Sequence, residues 1–195
     1  SGKKDPSVRE VISPTSDPNI SLVPANIELA QAQLDLVAAA NRESLLREML
    51  RDVRRSYDYV LIDCLPSLGL LTVNALNAAD EVLIPLQADY LAMKGLVRLL
   101  TTIIHVKEKL NPALNIAGIL FTMTSSRTLH SKEVIDVTRR AFGDRIRIYK
   151  AIIPTSVRFK EAPAAGKSIL TYAPKSEGAS AYRLLTEEVM KNETG

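Results

Sequence analysis

One cysteine, no tryptophan, six tyrosines and three phenylalanines are all that 195 residues hold of thiol and aromatic chemistry. The lone Cys64 excludes an internal disulfide framework and suits a reducing compartment. One Cys with the widely separated His105 and His130 does not make a zinc set, and a thiolate-ligated iron–sulfur cluster lacks its ligands. As a nucleophile Cys64 has no nearby histidine to activate it, so a packed structural cysteine is the better reading. Apolar runs such as Tyr59–Ile62 and Ile116–Phe121 fall far short of a bilayer crossing. No apolar stretch follows a basic start, so a secretory leader is not expected in these residues.

What remains is an aliphatic, moderately charged chain. Hydrophobic residues make up 46% and charged ones 24%, which is ordinary for a globular protein of a size to form one core. The net charge of +3 conceals an asymmetry. Between Thr124 and Lys175 stand eleven Lys or Arg against four Asp or Glu, a balance of +7, leaving −4 for the remainder. A basic region in an otherwise acidic chain suits a polyanionic partner, although basic residues scattered over several solvated faces would count the same.

Periodicity predicts alternating elements. Residues 1–16 carry no clear pattern, and residues 17–195 read as one domain. Ile20–Val23 is a short strand stopped by Pro24, and Asn26 caps a helix. Leu46, Met49, Leu50 and Val53 repeat at helical spacing, with Arg47, Arg51, Arg54 and Arg55 read as a solvated face. Tyr59–Ile62 is a β-prone run of the kind covered on both faces. Then come a helix at 68–77, a strand at 81–86, and a long helix from Tyr90 to Leu110 ended by Asn111-Pro112. A strand at 115–123, a helix at 131–142, a strand at 146–153 and a last helix capped by Ser176 complete the order. Repeated strand–helix alternation with short connections predicts an α/β class, a doubly wound, mostly parallel sheet flanked by helices.

Apolar strand residues ending in Asp63 have the form of a Walker B segment, because the carboxyl end of a buried parallel strand faces the crevice where such folds bind ligands. Taken alone, a loop cap or salt-bridge partner is the default reading of such an Asp. The stretch Tyr57-Asp58-Tyr59-Val60-Leu61-Ile62-Asp63-Cys64-Leu65-Pro66-Ser67-Leu68-Gly69 resembles the ParA/Soj branch of the deviant Walker ATPases. The resemblance continues through Pro85-Leu86-Gln87, Met93-Lys94-Gly95-Leu96, Gly118 to Met123, Ser126-Arg127-Thr128 and Ile153-Pro154. It also takes in Val157-Arg158, Glu161-Ala162-Pro163 and Pro174-Lys175-Ser176, covering nearly all the chain after about Asp17.

The resemblance implies roles. Asp63 matches the residue that holds Mg²⁺ through water. Pro66, Ser67 and Gly69 match the switch loop that senses the γ-phosphate. Met123, Pro154 and Thr155 match the nucleotide's adenine side. Arg127 and Arg158 match positions that bind DNA without reading its sequence, and Lys132 and Lys160 would extend that basic patch. Leu65 stands where a second Pro is common, Thr155 and Ser156 replace an Arg-Asn, and Lys160 replaces a common Ser.

No segment reads G-x-x-x-x-G-K-[ST] or the family's K-G-G-x-G-K-[ST]-[ST]. Gly166-Lys167-Ser168 lacks the second glycine at the right spacing and is read as a loop. The sequence is therefore expected to be the C-terminal portion of a longer protein whose phosphate loop precedes Ser1, and to be inactive in hydrolysis alone. The expected parent is a bacterial-type, cytoplasmic, nucleoid-associated partitioning ATPase serving a chromosome or plasmid. It would use ATP and Mg²⁺ to form a homodimer on nonspecific DNA, with a ParB-type partner protein and no membrane role. One alternative is a nonenzymatic ParA-like protein that binds DNA or a partner. A second is a MinD-like membrane-associated ATPase, disfavoured by the acidic residues of 185–195, since membrane docking there needs a basic amphipathic helix.

Overall fold

The computed structural model describes residues 8–65, 67–125 and 129–192. They group into two compact units, one of residues 1–80 with 102–114 and one of residues 81–101 with 115–195.

The first unit opens with α1 (Val8–Val11) and the antiparallel pair β1 (Ser13–Pro14) and β2 (Ser21–Leu22). The expected strand over Ile20–Val23 thus shortens to two exposed residues, because Pro14 and Pro24, which have no N–H, bound what the ladder can use. Helix α2 (Glu28–Leu36) follows Asn26, whose Oδ1 accepts the Glu28 amide at 2.9 Å. Helices α3 (Leu45–Leu50) and α4 (Leu70–Ala78) pack together.

Three buried asparagines bolt this unit. Asn74 and Asn77, one helical turn apart on α4, face the chain at 42–46. The Asn74 amide donates to Arg42 O at 2.6 Å while its Oδ1 accepts the Leu46 N–H at 3.1 Å. The Asn77 amide donates to Glu43 O at 2.8 Å. Asn111 donates to Leu76 O and Ala79 O, at 3.1 and 2.7 Å, satisfying carbonyls at the end of α4 that the helix leaves open.

The second unit is a parallel sheet, β3 (Glu81–Gln87), β4 (Asn115–Thr124) and β5 (Ile148–Pro154), in that spatial order. Helix α5 (Tyr90–Lys109) links the first two strands and α6 (Leu129–Phe142) the next two; α7 (Arg158–Ala164), α8 (Ile169–Tyr172) and α9 (Glu177–Asn192) follow. This is the α/β architecture that the alternation predicts. Asp89 Oδ1 takes the Leu91 amide at the start of α5, and Ser176 Oγ takes the Ala179 amide at the start of α9.

Leu120, Tyr149, Ala151 and Ile153 line one sheet face, covered by Phe159 and by Ala181, Leu185 and Val189 of α9. Ile119 and Phe121, on the opposite face of β4, are also wholly buried, which is why this strand reads as an unbroken apolar run.

Strand β5 is longer than its partner requires. Ile119 pairs with Ile148 but Phe121 pairs with Ile152, so two extra residues bulge between them. Glu188 of α9 closes the bulge: Oε1 accepts the Lys150 amide at 3.0 Å and Oε2 the Ala151 amide at 2.8 Å. The Arg147 guanidinium lies 3.5 Å from the same carboxylate. Burial alone raises the Glu188 carboxyl, but the two amides and then Arg147 outweigh it, so it sits below the ordinary carboxylate range. Gly118 makes room for the bulge with φ +149°; a side chain there would come within 2.8 Å of Arg147 O and 2.9 Å of the Tyr149 ring.

Candidate functional site

In the first unit, the run expected as a strand ahead of Asp63 joins no ladder. Residues 59–65 belong to no helix or strand, and Leu61 is 92% exposed. β-Propensity describes how a side chain fits a pleated neighbour, and among the described residues no strand of this unit lies alongside. Asp63 is accordingly an exposed carboxylate outside any strand, not the terminus of a buried one.

Cys64 follows it. Shielding by the surrounding chain, and then the Asp63 charge, push its thiol above the ordinary value although the residue reaches solvent.

Pro66 lies outside the described residues. Ser67 donates its amide to Leu65 O at 2.7 Å, and its own carbonyl accepts the Thr72 hydroxyl, so the expected switch loop is drawn onto the first turn of α4. Gly69 is the N-cap of that helix, and Gln33 of α2 stands 3.0 Å from where a Cβ would be.

In the second unit, the carboxyl ends of β4 and β5 come together. The Thr155 amide donates to Thr124 O at 2.9 Å, and the Thr124 hydroxyl reaches Ile153 O at 3.4 Å. Met123, 65% exposed, takes a left-handed backbone with φ +50°, uncommon for a residue with a long side chain. Such strain persists where the surroundings over-determine it, often at ligand sites.

A cavity of about 360 Å³ opens here, lined among others by Thr124, Ser131, Lys132, Ile135, Pro154 and Glu177. Its mixture of apolar wall, hydroxyls and one cation is of the kind and size that hold a small polar ligand. Lys132, expected on a DNA patch, is exposed and lines this cavity together with Pro154. Its position directly after Ser131 at the start of α6 is what places it there, and no local pattern in the sequence showed it.

Four residues beyond Pro154, α7 begins at Arg158. Arg158 and Lys160 are exposed, as a phosphate-binding role requires, and Ser156 Oγ accepts the Arg158 amide at 3.3 Å. Arg127 lies outside the described residues. Gly166 adopts φ +62° in a turn, and Ser168 caps the four-residue α8, so Gly166-Lys167-Ser168 is a loop and not a phosphate cradle.

Asp63 belongs to the first unit and the cavity at Pro154 to the second, and each is taken by itself. Among the described residues no three His, Cys, Asp or Glu side chains converge on one point, so Asp63 would serve Mg²⁺ as one water-bridged carboxylate, with phosphates supplying further ligands. The cavity at Pro154 fits the base side, while the sequence holds no glycine-rich cradle for the phosphates.

Comparison with known proteins bears on the family. The AAA_31 family model, an AAA domain, matches residues 3–116. The sporulation initiation inhibitor protein Soj of Bacillus subtilis is 45% identical over 188 residues, covering 96% of this chain and 74% of Soj. The chromosome partitioning protein ParA of Myxococcus xanthus is 45% identical over 190 residues, covering 97% of this chain and 66% of ParA.

Among solved structures, cobyrinic acid a,c-diamide synthase from Mycobacterium smegmatis with bound ADP and magnesium is 33% identical. It covers 99% of this chain and 74% of its own, with a TM-score of 0.79. The Cyanothece McdA–ATP complex reaches the same TM-score at 22% identity, over 95% of this chain and 78% of McdA, which speaks for the fold alone.

Proposed function

Because the chain belongs to the Soj/ParA family of chromosome-partitioning ATPases, we propose that it supplies the base-binding and DNA-binding portions of a Mg²⁺-ATP-dependent DNA-segregation protein. The observation that carries this is the junction at the ends of β4 and β5, where the cavity beside Pro154 and the exposed Arg158 and Lys160 are only a few residues apart. Pro154, Ile135 and Ile152 would wall the base from water. Lys132 and the Ser131 hydroxyl would orient its polar groups, and Thr155, tied to Thr124, would fix the rim.

Bound nucleotide with Mg²⁺ supplies the phosphoryl chemistry, and Asp63 is the residue of this chain that would stand toward the metal. The 195 residues alone are inactive in hydrolysis in this reading, since they contain no lysine-and-glycine loop to hold the β- and γ-phosphates. The full protein would dimerise on ATP, bind DNA of any sequence and be released by a ParB-type partner, acting in the cytoplasm on the nucleoid.

Arg158 and Lys160 would bind phosphates and release counterions, giving affinity that ignores sequence and falls with salt. The test is fluorescence anisotropy with two unrelated duplexes over a salt series. R158A/K160A should weaken both duplexes equally and lower the log K against log salt slope by about 2. Unchanged affinity in the double variant overturns the reading.

A further inference from the structure

We infer that Glu161 is a built-in competitor for the phosphates that Arg158 would bind, an inference that rests on the DNA-binding reading of α7. Arg158 and Glu161 are three residues apart on one helix face, with Nε 3.8 Å from Oε2. That same Oε2 accepts the Tyr172 hydroxyl of α8 at 3.3 Å.

Tyr172 is itself held. Ser168 caps α8 by accepting the Thr171 amide, Tyr172 N donates to Ser168 O at 2.8 Å, and Lys167 N donates back to Ala162 O at 3.0 Å. The carboxylate oxygen nearest the guanidinium is therefore also held by a hydroxyl from a second helix. Both charged side chains are about half open to solvent, 55% for Arg158 and 45% for Glu161, so a phosphate can reach them.

A phosphate arriving at Arg158 meets a fixed negative charge already on that guanidinium. It must displace the carboxylate or share the cation with it, and either lowers the affinity. The contribution is that of an exposed ion pair, which a duplex at low salt reads as a few-fold change. Glu161 is thus a residue that sets how easily the DNA face lets go.

The discriminating variant is E161Q. A glutamine keeps the oxygen that accepts from Tyr172 and the helix propensity of α7, and removes only the charge. Duplex binding is measured by anisotropy at low salt for the 195-residue chain, E161Q, R158A and the R158A/E161Q pair, with circular dichroism checking that all four fold alike. E161Q should bind about two- to fivefold tighter, the gain should fade as salt rises, and it should vanish when Arg158 is alanine.

Equal or weaker binding by E161Q overturns the competitor role. So does a gain of the same size in the R158A background, which would make it a general charge effect. No measurable binding by the unmodified chain, or R158A binding as well as the unmodified chain, overturns the DNA face and the competitor role with it.

Discussion

Replacing Glu188 with alanine removes the carboxylate that accepts both the Lys150 and the Ala151 amides in the β5 bulge. Glu188 is 9% exposed and Ala151 wholly buried, so water does not readily take over. Each buried donor left without a partner costs about 1–3 kcal/mol, which puts E188A at about 2–5 kcal/mol, a large share of a domain stability of roughly 5–15 kcal/mol. E188Q should lie between, since its one carbonyl oxygen still accepts one amide while its NH₂ group faces the other.

The pH dependence has a definite sign. The folded-state carboxyl lies below its ordinary value, so its contribution is fully present above the unfolded value, about 4.3, and is lost as pH falls through the folded value. The gap between the unmodified chain and E188Q should stay constant from about pH 6 to 8 and narrow progressively below about pH 5. Urea denaturation followed by circular dichroism gives the gap, and amide hydrogen exchange at Lys150 and Ala151 gives the local effect. If those two amides exchange as slowly in E188A as before, with the denaturation midpoint unmoved, the bulge is held by something else and the reasoning fails.

Two further expectations come from single positions. G118A forces a side chain against Arg147 O and the Tyr149 ring from a backbone that only glycine adopts freely, and should cost about 2–5 kcal/mol in the same denaturation assay; a loss under 0.5 kcal/mol would contradict the geometry. The Cys64 thiol, raised by its surroundings and by Asp63, should alkylate more slowly than a free cysteine at pH 8, and D63N should shift its rate–pH profile to lower pH; an unmoved profile would mean that Asp63 does not act on the thiol.

From residue 81 onward most elements were legible because each satisfies its own pattern, the short α7 and α8 excepted. Strands β3, β4 and β5 are apolar runs between breakers, Asn111-Pro112 ends α5, and Ser176 caps α9. Before residue 81 the reading failed where it needed a neighbour. Tyr59–Ile62 has the right residues for a strand, but a strand is a pairing, and its propensity cannot supply the partner. Ile20–Val23 shrank for a related reason, with prolines on both sides of the ladder.

The polar bolts were invisible for a different cause. Asn74, Asn77 and Asn111 look like surface residues until the carbonyls they satisfy are in place, and Glu188 reads as one more acid in an acidic final helix. At the candidate site, Pro154, Thr155 and Arg158 were singled out by the resemblance, and their roles belong to the proposal above. The company that Lys132 and Glu161 keep depends on which helix ends meet, information spread over distant parts of the chain.

Tyr149 is 1% exposed, and the Arg147 guanidinium lies 4.7 Å from its ring centre. Without tryptophan to swamp it, the ultraviolet signal of this protein belongs to its tyrosines, and this one is packed in an asymmetric field on β5, beneath α9. Burial, only partly offset by Arg147, raises its phenol above the ordinary tyrosine value. The molecule therefore carries a native optical gauge of whether its parallel strands are properly seated, with no dye or label attached.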